Sequence, residues 1–392
     1  MDDNIIAMDD NTIAMNNNII AMDNNIKTNT KTVNNDINIV EIDDTLMTEY
    51  EYVFIEKLNE LRIFCETHAD KPKQGTKKWK EERNNTNKEV TVGGSEMSTV
   101  LGENKYNNID KLIQTKLGLL TFSGNDATRW GNFFEPVGQL LIEKLFDCVL
   151  YETGSLPGSI PNTSYSPDGF SVIYAEKIQK LIIEKNIEQH TLPFDKAGTI
   201  LFEIKSPYSR IPTNYIPDEY KAQPQSGLAY FKFIDIAYFI NIVFRACTLK
   251  QFTGLGFVNT TTQQKIMITE DLAVSYKGII GIYSESRDST ISYDENIIDL
   301  VESGEFSKII YFVSIGRFGV VYFDIDEDLE LSISKYKKIC IDNSFNMVGI
   351  IPYKILKTVI IPVYRDIGFI DAIKEPIRKF VNIYNEEKIK IR

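Results

Sequence analysis

Apolar positions along this chain fall into two rhythms. Tyr50, Phe54, Leu58, Leu61 and Cys65 recur at helical spacing, so ordered structure is expected to begin near Tyr50 with an amphipathic helix. Ser95 to Leu101 and Asn108 to Leu117 read as short helices, and Asn125 to Tyr151 as a long one carrying Phe134, Val137, Leu141, Leu145 and Val149. Two compact strand patterns follow, Thr199 to Lys205 and Ile234 to Phe244, with a helix over 218–230 between them. Lys308 to Ser314 and Gly319 to Ile325 also read as strands, and an amphipathic helix from about Phe369 to Glu387 comes last. This order is that of an α/β protein, and no break in composition after residue 50 demands a second core.

The first 48 residues follow neither rhythm. Ile6-Ala7-Met8, Ile13-Ala14-Met15 and Ile20-Ala21-Met22 repeat with a seven-residue period, the spacing of a coiled-coil seam. The positions between them are nearly all Asn and Asp, which favour caps and turns over helix interiors, so residues 1–48 are expected to form a low-complexity, disordered tail.

Charge matters only once it is located. The net charge is −12, but the first fifty residues hold ten acids against Lys27 and Lys31, which leaves −4 for all the rest. Phosphate binding depends on local basic surface, and the stretch Lys71 to Lys88 supplies one with Lys73, Lys77, Lys78, Lys80 and Arg83; on charge alone it reads equally as a solvated loop. The longest apolar stretch, about Ile236 to Phe244, is roughly half a membrane helix, and the chain opens on acidic, Asn-rich residues. An intracellular, cytoplasmic protein with no membrane partner is expected. Cys65, Cys148, Cys247 and Cys340 are scattered, which argues against a disulfide framework and against zinc or iron–sulfur ligation.

With only His68 and His190 available, histidine triads and multi-histidine metal sites lack parts, and carboxylate chemistry remains. Glu203-Ile204-Lys205 on a strand points a carboxylate and an ammonium to one face, with the Ile204 carbonyl between them. A magnesium ion needs only one or two protein carboxylates and keeps several waters. Taken singly, an E-x-K at a strand end is a surface ion pair, and Asp168 in Ser166-Pro167-Asp168-Gly169 is a turn-former.

Taken together, six segments resemble, in order, motifs of the lambda exonuclease and YqaJ-like family of PD-(D/E)xK nucleases. They are Trp79-Lys80-Glu81-Glu82-Arg83; Gly93-Gly94-Ser95-Glu96 with Leu101-Gly102-Glu103-Asn104-Lys105-Tyr106; Arg129-Trp130-Gly131-Asn132-Phe133-Phe134-Glu135-Pro136; Ser166-Pro167-Asp168-Gly169; Glu203-Ile204-Lys205-Ser206-Pro207; and Ala222-Gln223-Pro224-Gln225. The resemblance spans Trp79 to about Cys247. It implies a restriction-endonuclease-like α/β core over 49–250, with a mixed central sheet flanked by helices and an insertion at 171–198, plus a C-terminal α+β extension over 251–392 packed on the core.

By the same resemblance, Asp168, Glu203 and the Ile204 carbonyl would hold Mg²⁺, one or two ions, with Mn²⁺ able to substitute. Lys205 would serve the attacking water, Glu135 would assist a second ion, and Gln225 would orient water or phosphate. Arg83 and Ser95 would hold a 5′-phosphate. The implied activity is exonucleolytic hydrolysis of duplex DNA ends, 5′-to-3′, in recombination, repair or end processing. Implied partners are a single-strand annealing protein and further copies of the chain in a trimeric ring. An inactive or endonucleolytic relative that binds DNA or a recombination partner is the alternative. Two departures stand out: 34 residues separate Asp168 from Glu203, and Pro224 interrupts the Gln223/Gln225 helix. The Asn, Ile, Lys and Asp bias suggests an AT-rich genome, and the long tail and insertion suggest a large DNA virus.

Overall fold

The computed structural model describes residues 48–69, 78, 89–120, 124–185, 187–210, 212–253, 276–285 and 297–391. The N-terminal repeat, Trp79 and Arg83 lie outside them. The chain begins with helix α1 (Glu49–Thr67), strand β1 (Val92–Gly93), a 3₁₀ turn (Gly94–Glu96) and helices α2 (Met97–Val100), α3 (Ile109–Lys116) and α4 (Asp126–Phe146). Next come β2 (Leu156–Pro157), β3 (Thr163–Tyr165), β4 (Gly169–Tyr174), α5 (Ala175–Glu184), β5 (Ala197–Lys205), α6 (Asp218–Tyr230) and β6 (Ile236–Ala246). The remainder is α7 (Leu249–Thr253), β7 (Tyr276–Ser284), α8 (Ile297–Ser303), α9 (Phe306–Ser314), β8 (Gly319–Tyr322), α10 (Leu329–Asp342), β9 (Asn346–Val363) and α11 (Phe369–Ile391).

Local chemistry sets several of these boundaries. Thr48 caps α1 and exchanges bonds with Glu51 in a capping box. Asn108 and Asn125 cap α3 and α4 by accepting from backbone N–H groups three residues on. Asp147 ends α4 in the left-handed region, at φ 47°.

Six strands form one mixed sheet in the order β4-β5-β6-β9-β7-β8, and β1, β3 and β2 make a smaller one. β4 and β5 are antiparallel, with Gly169 opposite Phe202, whereas β5 and β6 are parallel, with Lys205 opposite Asn241, and α6 makes the crossover. Helices cover both faces, which is why β6 is buried along its whole length and reads as a continuous apolar run. On one face α4, α5, α8 and α9 pack against Ile200, Phe202, Ile204, Ile240, Ile242 and Phe244. On the other, α1, α6 and α11 pack against Leu201, Ala237, Phe239 and Val363. Alternation along β5 therefore puts Glu203 on the α6 side.

Three expectations need correction. Lys308 to Ser314 is helix rather than strand, because Phe306, Ile309 and Ile310 sink one helical face into the core. The 171–198 stretch is no detached insertion: β4 occupies its start and β5 its end, so the connector is α5 with its flanking loops. The C-terminal region supplies β9, which lies inside the sheet between β6 and β7; it completes the sheet as well as packing on it. Among the described residues no helix is long and apolar enough to cross a membrane.

Candidate functional site

The open end of the β4–β5 pair gathers the charged residues. Asp168 sits one residue before β4, and its Oδ2 accepts the Ile204 backbone N–H at 2.7 Å. Glu203 and Lys205 share a face, as strand alternation requires, and Lys205 Nζ donates to Glu203 Oε1. Glu203 Oε2 accepts the Tyr165 hydroxyl at 3.0 Å. Glu203 has no exposure and Asp168 only 5%, whereas the Lys205 side chain keeps 23%. Three charged groups thus meet in a largely water-excluded corner whose cationic member reaches solvent.

Helix α4 brings in the fourth. A Cβ on Gly138 would lie 2.9 Å from a methyl of Ile204, so the missing side chain lets α4 press onto β5. Glu135 and Gln139 share that helical face, three residues before Gly138 and one after it. Gln139 Nε2 donates to the Asp168 backbone oxygen at 3.0 Å and also to Glu152 Oε1. Burial, and then the Asp168 charge, push the Glu135 pKa up to about 8, with Lys205 pulling the other way. Burial and Asp168 likewise raise Glu203 to about 7, against Lys205 and Tyr165. Burial works to lower Lys205, but Glu203 and Asp168 outweigh it and hold the ammonium above the ordinary lysine range.

Glu203 and Glu135 are both held toward their protonated forms by burial and by the Asp168 charge, a crowding of carboxylates that a divalent cation would relieve. Among the described residues no group of three or more His, Cys, Asp or Glu side chains is gathered into a metal cage. Magnesium does not ask for one, since one or two carboxylates with water suffice. Asp168 and Glu203 fit it on that basis. Lys205 Nζ already occupies one oxygen of Glu203, so an ion there would compete with the ammonium and release it.

Gln225 is not brought to this corner. Its Nε2 donates to the Tyr364 backbone oxygen at 2.8 Å, and its Oε1 accepts the Asp366 N–H at 3.1 Å, so it ties α6 to the segment after β9. Positions two apart on a helix point about 200° apart, which turns Gln225 away from the direction of Gln223. Ser95 is exposed on the 3₁₀ turn. Its neighbour Gly94 packs so tightly on the Tyr165 ring that a Cβ would lie 2.4 Å from it, which places the turn one residue away from the partner of Glu203.

The sequence reading missed Tyr165, Gln139 and Glu152. Gln139 carried a signal, being a polar residue at i+4 from Glu135 on the buried stripe of an amphipathic helix. Tyr165 and Glu152 carried none, because only the folded chain brings them close.

An antiparallel strand pair with an aspartate before its first strand and Glu-x-Lys ending its second is joined through a helix to a parallel neighbour, the arrangement that the sequence resemblance to PD-(D/E)xK nucleases leads one to expect. The chain is similar to a protein of African swine fever virus: it is 26% identical over 328 residues to the version from a Malawi tick isolate, covering 82% of this chain and 89% of the relative. It is 29% identical over 257 residues to the version from the Pretoriuskop isolate, covering 64% and 72%. Similar solved structures include an alkaline exonuclease, LHK-Exo from Laribacter hongkongensis, at 13% identity and TM-score 0.37, covering 81% of this chain and 96% of that one. A phage-related exonuclease from Haemophilus somnus is 16% identical at TM-score 0.35, covering 79% and 99%. No family model matches the chain.

Proposed function

We propose that this chain is a Mg²⁺-dependent exonuclease that hydrolyses duplex DNA from 5′ ends in recombination or end processing, acting in the cytoplasm. The observation that supports it best is the convergence of Asp168, Glu203, Lys205 and Glu135 at the open end of one strand pair, two of them bridged by a hydrogen bond and all mutually felt as charges. When bound, the divalent ion supplies charge neutralisation at the scissile phosphate and a more acidic water. Asp168 and Glu203 act as ligands, assisted by the Ile204 carbonyl. Lys205 would offer its ammonium to the attacking water and to the charge that builds on phosphorus. Glu135, close enough to Asp168 for the two charges to interact, would assist if a second ion is bound. Arg83 and Ser95 would meet the terminal phosphate, by guanidinium fork and hydroxyl.

End-labelled linear duplex and covalently closed duplex, each incubated with Mg²⁺, test this reading. Linear DNA should be degraded, closed DNA should resist, and EDTA should stop the reaction. Lys205→Ala and Glu203→Gln should each cut the rate by at least about a hundredfold. Undiminished Mg²⁺-dependent cleavage in either variant refutes the assignment, and digestion of the closed form makes the enzyme an endonuclease.

A further inference from the structure

One acid beside the site is given no task by the proposed chemistry. Asp147 ends α4 in the left-handed region and turns the chain back along the helix, where the Leu150 N–H donates to Glu143 Oε1 at 2.9 Å. Tyr151 then pairs with Phe170 in an isolated antiparallel bridge, closed by backbone bonds of 2.8 and 2.9 Å. In an antiparallel pair the residue after one partner comes level with the residue before the other. Glu152 is thereby brought level with Gly169, one residue from Asp168, and it is half-buried there. Gln139 joins the two. Its side chain is buried, and its Nε2 donates to the Asp168 backbone oxygen at 3.0 Å and to Glu152 Oε1. An amide nitrogen carries two N–H donors, so each acceptor takes one and the amide is held at two points. Asp168 is held at two points as well, by its backbone oxygen on Gln139 and by its Oδ2 on the Ile204 N–H.

Toward its neighbours the Glu152 charge is unfavourable, since it is among the influences that raise the pKa of both Glu135 and Glu143. Its hydrogen bond is the favourable contribution. A carboxylate only accepts, so its bond to Gln139 has one sense, and a bond to a charged acceptor is roughly twice as strong as a neutral one. With that bond in place, the Gln139 amide cannot swing away from the Asp168 peptide without breaking two contacts at once. We infer that Glu152 is a positioning residue of the metal site, acting through Gln139 on the Asp168 peptide and so on where the Asp168 carboxylate points. This rests on the reading of Asp168 and Glu203 as ligands of the ion and extends it by one residue that acts at a remove. It also gives the bridge at Tyr151 a task, because that bridge sets Glu152 at the right height beside α4.

The test is calorimetric titration of the full chain with Mg²⁺ alone, for Glu152→Ala and Glu152→Gln, each with and without Gln139→Met. Glu152→Ala should weaken Mg²⁺ binding about tenfold. Glu152→Gln keeps an acceptor oxygen without the charge and should recover most of that loss. Once Gln139→Met has removed the link, Glu152→Ala should change the affinity by less than about twofold. If Glu152 acted only as a distant negative charge, the alanine and glutamine variants would lose affinity equally, and the loss would persist without Gln139. That pattern overturns the inference, as does unchanged Mg²⁺ affinity in Glu152→Ala. Glu152→Leu, which keeps the bulk of the side chain without an acceptor, takes the place of the alanine variant if the latter does not fold. A chain that shows the expected pattern but leaves linear duplex uncut loses the nuclease reading and keeps the positioning residue. A chain that cuts DNA while Glu152→Ala binds Mg²⁺ normally does the opposite, and failure of the unsubstituted chain to bind Mg²⁺ removes both.

Discussion

Among the described residues, the Tyr165 hydroxyl is the neutral donor on Glu203. It holds Oε2 while Lys205 holds Oε1, so the carboxylate is fixed in orientation before any ion arrives. Tyr165→Phe would delete that bond and leave the ring that packs on Gly94 and Gly227. A hydrogen bond to a charged group contributes about 1.5–3 kcal/mol. Its loss also pushes the Glu203 pKa further up, because Tyr165 is among the groups that lower it. At neutral pH the variant should remain folded and bind Mg²⁺ roughly tenfold more weakly by calorimetric titration. Equal affinity in the two proteins would show that Tyr165 only packs. The core of the site was legible in sequence because Glu203 and Lys205 are two residues apart on a strand, and that spacing alone fixes their common face. Gln225 misled for the converse reason: a Gln-x-Gln pair on a helix presents its two amides to different sides, and which side meets the site is a tertiary matter.

At the scale of elements, the crossing of α4 over β5 does most to build the site. Gly138 is where the two touch, against a branched methyl of Ile204 and the Cδ1 of Ile242. Valine there would gain little in helix propensity and would wedge the helix off the sheet at a typical overpacking cost of about 1–3 kcal/mol. Glu135 and Gln139 share the displaced face, so Gly138→Val should lower cleavage well beyond the drop in its urea midpoint. A variant that loses stability but cleaves like the unsubstituted chain would show that α4 does not position the acids. Element boundaries with local causes were readable, such as α6 between its proline and the β6 run. Helix α9 was not read correctly, because Ile309, Ile310, Tyr311, Phe312 and Val313 favour strands by composition while their burial follows the helical period. The place of β9 was beyond reach as well: insertion between β6 and β7 is set by pairing across more than a hundred residues, which no local pattern encodes.

For the whole molecule, the carboxylates link metal, pH and stability. Glu135 and Glu203 sit at about 8 and about 7, above the ordinary 4.5, so the folded chain favours their protonated forms. Their contribution to stability is complete below about pH 4.5 and is lost as pH rises through about 7 and 8. Surface acids such as Glu375, Asp371 and Asp218 are shifted down by lysine or arginine partners and act with the opposite sign, at more acid pH, whereas Glu143 and Glu103, raised by burial, share the sign of the two site carboxylates. In EDTA, urea unfolding should show stability falling from about pH 5.5 to 8.5. Divalent ions bind the ionised carboxylates and stabilise the fold by mass action, so added Mg²⁺ should do little at the acid end and progressively more toward the alkaline end. Cleavage should climb over the same interval. A magnesium effect of constant size across that range would mean that the ion binds somewhere other than between Asp168 and Glu203. Glu203→Gln, which removes the ionisation at the centre, should flatten both curves together if the site is where the fold places it.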